Sequence, residues 1–258
     1  MNVLDVVNLK YFYNPEKVIL NNISFSIKSG DILVILGPNG TGKSTLLKNL
    51  CHILVPREGF VSFNEEKNSF LFRKRNQLTI YGYIPQLQGF IPNIEAKEYA
   101  VLGRSAHIKL FQQPTELDYD LVENIFKKLN IINLYNQNYA TLSGGEQQQV
   151  LLAKILCQLP SVLLMDEPTS QLDYGNQIRF LKIVKQLSQM GYIIILTSHN
   201  PNHALYLDCY TGIIDSVGNF KIGEARKLLD SKLLSELYKT PVNVEYNNKL
   251  HRLVCNAI

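Results

Sequence analysis

The sequence predicts an α/β fold built on a parallel sheet, with a mainly helical insertion. Two kinds of segment carry that expectation. Ile32-Leu33-Val34-Ile35-Leu36, Val162–Met165 and Tyr192–Thr197 are short, continuous apolar runs of the kind that form strands covered on both faces. Segments with helical spacing are interleaved with them: Thr45–Leu54, with apolar residues at 46, 47, 50, 53 and 54, and a later stretch carrying Ile178, Leu181, Val184 and Leu187. Strand, helix and strand in alternation is the order of a parallel sheet with crossover helices.

The remaining elements follow in chain order. Val3–Leu9 is apolar-rich, and Ile23-Ser24-Phe25-Ser26-Ile27 alternates with period two, as a half-buried antiparallel strand does. Gly59–Ile84 reads as short strands around a polar, basic loop at Asn64–Asn76. Between Pro92 and Pro160 the pattern turns helical, over Glu95–Leu102, Asp118–Leu129 and Gln147–Leu159, with one clear stripe at Leu121, Val122, Ile125, Phe126 and Leu129.

Composition bounds the function. The 258 residues, 46% hydrophobic and 19% charged, suffice for one substantial core with an inserted subdomain and exclude a disordered chain. A net charge of +4 suits an acidic ligand or an anionic membrane surface without choosing between them. Cys51, Cys157, Cys209 and Cys255 are scattered with no Cys-x-x-Cys pair, as expected of free thiols in a reducing compartment. Met1–Asp5 lacks the basic lead of a secretory signal, and no apolar run reaches membrane-spanning length. A soluble protein is expected, with any membrane part supplied by another chain.

Gly37-Pro38-Asn39-Gly40-Thr41-Gly42-Lys43-Ser44 matches G-x-x-x-x-G-K-[ST] between a strand and a helix. Glycines at 37, 40 and 42 let successive N–H groups point inward as an anion nest at a helix N-terminus. Lys43 offers charge to the β/γ-phosphates, and the Ser44 hydroxyl is placed to ligate Mg2+.

Val162–Met165 ends in Asp166-Glu167, at the strand edge where α/β sheets bind ligands. Asp166 suits the Mg2+ shell, and Glu167 suits orienting or deprotonating an attacking water. Leu142-Ser143-Gly144-Gly145-Glu146, taken alone, reads as an ordinary capped helix, and just before the Asp166 strand it also offers a second phosphate site, with Ser143 as N-cap and two glycines leaving helix N–H groups open to an anion.

Over essentially its whole length the chain resembles the nucleotide-binding subunit of an ABC transporter. The motifs are 37–44, Gln86 after Tyr83-Ile84-Pro85, the signature at 142–146, Asp166-Glu167, Ser170-Gln171-Leu172-Asp173, and His199 within Thr197-Ser198-His199. The resemblance implies an α/β P-loop NTPase (RecA-like) core with an N-terminal antiparallel β subdomain and an inserted α-helical subdomain. The chain would be one ATPase domain: residues 1–91 the antiparallel subdomain and P-loop part of the core, 92–160 the helical subdomain, 161–223 the rest of the core, and 224–258 a helical tail.

It further implies ATP and Mg2+ as cofactors. Residues 37–44 with Thr45 would hold the phosphates, and Tyr13, with Tyr11 as second candidate, would stack on adenine. Gln86 would touch Mg2+ or the attacking water and report to a membrane partner; His199 would contact the γ-phosphate. Ser143, Gly144, Gly145 and Asp173 would complete an ATP site on a second, head-to-tail copy.

Departures are Glu146 where Gln is commonest, Gln149 and Lys154 where Arg is usual, and Gln171 for Ala.

Val101-Leu102-Gly103-Arg104-Ser105-Ala106-His107 with Phe111 and Asp118-Tyr119 is similar to a stretch in ATPases of bacterial iron-chelate, haem, cobalamin and molybdate importers. So is the tail, Lys227-Leu228-Leu229 through Tyr238 and Pro241–Val244. Membrane permease subunits, and indirectly a substrate-binding protein, are the implied partners, at the cytoplasmic face of the cell membrane. Leu87, Phe90 and Ile91 suit a helix-in-groove contact and a buried loop equally well. Arg73-Lys74-Arg75 reads as a solvated loop tip, and no nucleic-acid element accompanies it. The alternative is a non-transport ABC ATPase of a soluble complex such as iron–sulfur cluster assembly. A fused exporter or a tandem DNA-repair or translation protein is disfavoured, because neither a membrane domain nor a second P-loop is present.

Overall fold

The computed structural model describes residues 1–67, 79–86, 91–109 and 111–257. Arg73-Lys74-Arg75, Leu87 and Phe90 lie outside the described residues.

The central sheet has the order β10-β9-β3-β8-β7-β6. Its strands are β3 (Ile32–Leu36), β6 (Tyr81–Ile84), β7 (Val162–Met165), β8 (Ile193–Ser198), β9 (Tyr210–Ile214) and β10 (Phe220–Glu224). All neighbours pair in parallel except the edge strand β10. The continuous apolar runs are explained by burial on both faces. Leu33, Ile35, Val162, Leu164, Ile193 and Ile195 point into one cluster. Their neighbours Ile32, Val34, Leu36, Leu163, Met165, Ile194 and Leu196 point into the other.

The first cluster is closed by α1 (Lys43–Leu50), through Leu46, Leu47 and Leu50, and by an antiparallel sheet of order β2-β1-β4-β5. In that sheet β1 (Val3–Asn14) and β2 (Lys17–Lys28) outrun the expected strands, β4 is Glu58–Phe63 and β5 is Glu66–Lys67. The second cluster is closed by α3 (Glu116–Lys128), α4 (Gly144–Leu156), α5 (Tyr174–Gln189) and α6 (Pro201–Leu207), with α2 (Ala96–Val101) against α4.

Two expectations are corrected. Helix α1 begins at Lys43 and stops at Leu50, because His52 adopts a left-handed φ of 58° that a helix does not continue through. The tail at 224–258 is only partly helical. After α7 (Ala225–Leu228) and α8 (Ser231–Tyr238) it forms a hairpin, β11 (Val242–Asn247) with β12 (Arg252–Ala257). Cys255 N–H donates to Asn202 Oδ1 (2.9 Å) and Asn202 Nδ2 donates to Cys255 O (2.8 Å), which ties the hairpin to α6.

All four cysteines are free, and burial pushes the Cys157 thiol up to about 12, so it is an inert packing group. Among the described residues no helix is long and apolar enough to cross a membrane.

Candidate active site

Four loops leave the carboxyl ends of adjacent parallel strands: the Gly37–Lys43 turn after β3, Gln86 after β6, Asp166-Glu167 after β7 and His199 after β8. Strand β8 lies between β3 and β7, so the phosphate loop and the paired acids stand one strand apart. Tyr13, Asn39, Gly40, Gly42, Lys43, Ser44, Thr45, Gln86 and Glu167 line one cleft of about 360 Å3.

Gly42 caps α1 at φ 103°, and a Cβ there would meet Ile19 Cγ2 at 2.8 Å, so glycine is required both for the turn and for the fit. Thr41 Oγ1 donates to Pro38 O (3.0 Å), bracing the loop across its own turn. Lys43 is 5% exposed; its Nζ donates to Gly37 O (2.8 Å) and Pro38 O (3.0 Å) and lies 3.6 Å from Glu167 Oε1. Burial draws the Lys43 amine below its ordinary value, and the Glu167 carboxylate opposes that.

Asp166 is buried. Its Oδ1 accepts from Thr197 Oγ1 (2.8 Å) and its Oδ2 from the Tyr83 hydroxyl (3.4 Å). Glu167 follows at a left-handed φ of 45°, and its N–H donates to the same Thr197 hydroxyl (2.7 Å). Glu167 Oε2 lies 3.9 Å from Nδ1 of the exposed His199. Ser44 and Gln86 are exposed at the cleft. Tyr11 is buried in the core, whereas Tyr13 is 59% exposed, set edge-on to Tyr11 at 5.0 Å and with its hydroxyl 3.3 Å from Thr45 Oγ1. Tyr13 is therefore the aromatic face open to the cleft.

Ser143, Gly144, Gly145 and Asp173 do not line this cleft. Ser143 caps α4 in a capping box: its hydroxyl and its N–H both donate to Glu146 Oε2 (2.6 and 2.9 Å). That hydrogen bonding holds the Glu146 carboxyl below its usual range. Asp173 caps α5 by accepting from Asn176 N (2.8 Å) and Asn176 Nδ2 (2.7 Å), and the Asn176 side chain abuts Gly145, where a Cβ would sit 2.9 Å from its Cγ. The two caps thus form one continuous surface. Arg104 turns inward, pairing with Asp118 (2.9 Å) and donating to Cys157 O (2.9 Å), while the exposed His107 has its Nε2 2.9 Å from Gln158 O. Their stretch bolts α3 to the end of α4.

Sequence reasoning gave no role to Thr197, Asn176 or His203. Thr197 and Ser198 are the polar interruption of an otherwise apolar strand, which was the available signal for the first. The other two look like ordinary helix residues until the chain folds.

A nucleotide-sized cleft at the carboxyl edge of a parallel sheet, floored by a glycine loop and a lysine and flanked by paired acids, defines a P-loop ATPase. The ABC transporter family model matches residues 20–170, and the chain belongs to that family as an ATP-binding, ATP-hydrolysing subunit. It is 32% identical over 240 residues to the molybdate import ATP-binding protein MolC of Haemophilus influenzae, covering 93% of this chain and 89% of that one. It is also 32% identical over 250 residues to an iron chelatin transport ATP-binding protein of Helicobacter pylori, covering 96% and 98%. Among solved structures it superposes with a TM-score of 0.86 on a candidate metal-chelate type ABC transporter in an inward-facing conformation, at 30% identity over 100% of this chain and 97% of that one.

Proposed function

We propose that this chain powers import of a metal chelate or a related oxyanion, as a head-to-tail pair seated on permease subunits at the cytoplasmic face of the membrane. The observation that carries the reading is the end-to-end likeness, tail hairpin included, to a metal-chelate type transporter. The two relatives named for molybdate and iron chelatin agree with it.

Each chain holds half of an ATP site. The cleft supplies phosphate-loop N–H groups, Lys43 and the Tyr13 face; the cap at Ser143–Gly145, lying outside that cleft, serves the nucleotide of the partner copy. ATP closes the pair because it binds the closed state better, and its hydrolysis releases it. Glu167 orients and deprotonates the attacking water, with His199 and Gln86 at the rim to hold the γ-phosphate and that water.

Mg2+ fits the donor set. Ser44 and Gln86 offer hard oxygen atoms at the cleft, and the Asp166 carboxylate, buried and outside the cleft lining, offers more; among the described residues no group of three His, Cys, Asp or Glu could hold a metal alone, so phosphate oxygens would share it. When bound, Mg2+ neutralises charge on the β/γ-phosphates. Exposed Ile91 and Leu102, near Gln86 in sequence, suit a permease helix.

The test uses Glu167→Gln: hydrolysis falls about 10²-fold or more, and with MgATP the protein runs as a dimer by light scattering. Near-normal turnover would remove Glu167 as base. Vesicles carrying the cognate permease with this subunit should take up labelled ferric chelate, haem, cobalamin or molybdate with ATP; uptake of none would overturn the cargo class.

A further inference from the structure

We propose that Thr197 is a positioning residue for hydrolysis, acting through Asp166 and Glu167; this rests on the reading of Glu167 as the group that activates water. A threonine hydroxyl has one proton, and here its use is fixed. The carboxylate Asp166 Oδ1, 2.8 Å away, can only accept, so the proton goes there, and a lone pair receives the Glu167 N–H at 2.7 Å. One side chain therefore ties the acid of the cation shell to the backbone of the acid that faces the water.

The backbone of Glu167 needs such a tie. Its φ of 45° lies in the left-handed region, which a residue with a long side chain holds only when its surroundings impose it. That turn directs the carboxylate out of the sheet edge towards Lys43 Nζ at 3.6 Å and His199 Nδ1 at 3.9 Å. Thr197 can impose it because its own position is rigid. It is fully buried in β8, opposite Ile35 of β3 and one residue after Leu196, which pairs with Met165 of β7. Its branched Cβ restricts the side chain to few rotamers. A buried hydroxyl among Ile193, Ile194, Ile195 and Leu196 is costly unless both its donor and its acceptor capacity are used, and both are.

Valine has the same shape and lacks the hydroxyl, so Thr197→Val isolates the two hydrogen bonds, and Thr197→Ser restores the hydroxyl. The variants are compared with Glu167→Gln for kcat, KM, affinity for a fluorescent ATP analogue with and without Mg2+, and melting temperature. Thr197→Val should lower kcat about tenfold or more, since small misplacement of a catalytic group is costly, with Mg2+-free analogue affinity and KM within about threefold of wild type. Thr197→Ser should recover most of kcat. Should the valine variant fail to fold, Thr197→Ala against Thr197→Ser makes the same comparison. Wild-type kcat without the hydroxyl, or a deficit that serine leaves unrepaired, overturns the proposal. If Glu167→Gln itself turns over normally, the fault lies in the reading of Glu167 and the inference falls with it; an inactive Glu167→Gln beside a fully active Thr197→Val overturns the role of Thr197 alone.

Discussion

Lys43 Nζ lies 3.6 Å from Glu167 Oε1 while donating to the carbonyls of Gly37 and Pro38. The ammonium is folded onto its own loop, and the carboxylate balances it at the place where phosphate charge would arrive. The two residues therefore respond to substitution in opposite ways. Lys43→Ala should weaken MgATP binding about 10- to 100-fold, the worth of a charge-assisted contact in a buried site. On the proposed reading of the cleft, Glu167→Gln removes a negative charge from beside the incoming phosphates and should tighten ATP binding several-fold, by roughly 1 kcal/mol. Titration calorimetry on both variants checks the pair, and weaker binding in Glu167→Gln would contradict it.

Tyr13 supplies the exposed aromatic face beside the phosphate loop, steadied edge-on by buried Tyr11. Tyr13→Ala should weaken ATP binding about 5- to 100-fold, the usual worth of one base–aromatic stack. Tyr13→Phe should stay within about threefold, because the 3.3 Å approach to Thr45 Oγ1 is long for hydroxyls. Stacking makes little use of the base edge, so GTP should bind comparably. A strong preference for ATP would place a hydrogen-bonding contact on the edge of the base.

The parts of this site that lie close in sequence were legible there. A glycine loop between a strand and a helix, and acids ending an apolar strand, carry their chemistry in local spacing. What could not be read depends on folding. Thr197 serves Asp166 and Glu167 from another strand, and Asn176 meets Gly145 from another helix. In the hairpin after α8, Val242, Val244 and Tyr246 alternate with Asn243, Glu245 and Asn247, a period-two pattern that marks the first strand in the sequence, whereas Arg252–Ala257 carries no such alternation. The resemblance instead implied a helical tail, which α8 fulfils only as far as Tyr238.

Glu146 holds the cap of α4 from both sides, accepting from the hydroxyl and the N–H of Ser143. Glutamine offers the same carbonyl acceptor without charge, so Glu146→Gln should fold normally and lose less than about 0.5 kcal/mol. Ser143→Ala should cost about 1 kcal/mol, as lost N-caps do. Urea denaturation measures both. Because Ser143 draws the Glu146 pKa down, the carboxylate's stabilisation is present above its ordinary value of 4.5 and lost as pH falls through its lowered one.

His203 sets the acid limit of the fold. It is 5% exposed, its Nδ1 lies 2.9 Å from Ser198 Oγ, and burial pulls its pKa from 6.5 to about 4. Asn200 Oδ1 accepts from Asn202 N–H (3.0 Å), which leaves the Asn200 amide facing His203 Nε2 (3.5 Å); that nitrogen accepts, and Nδ1–H donates to Ser198. A protonated ring would break this arrangement beside His199. Between the two pKa values the unfolded chain binds the proton and the folded chain does not, so stability is full above pH 6.5 and falls as pH drops towards 4. From neutral pH to about pH 5 the expected loss is about 2 kcal/mol. The lowered carboxyls of Asp118, Glu146 and Asp173, held by Arg104, Ser143 and Asn176, give up their stabilisation only as pH falls through the carboxylate range, so this window isolates the histidine. His203→Gln should flatten the stability profile over that interval in urea denaturation. An unchanged slope in the variant would place the acid sensitivity on another group.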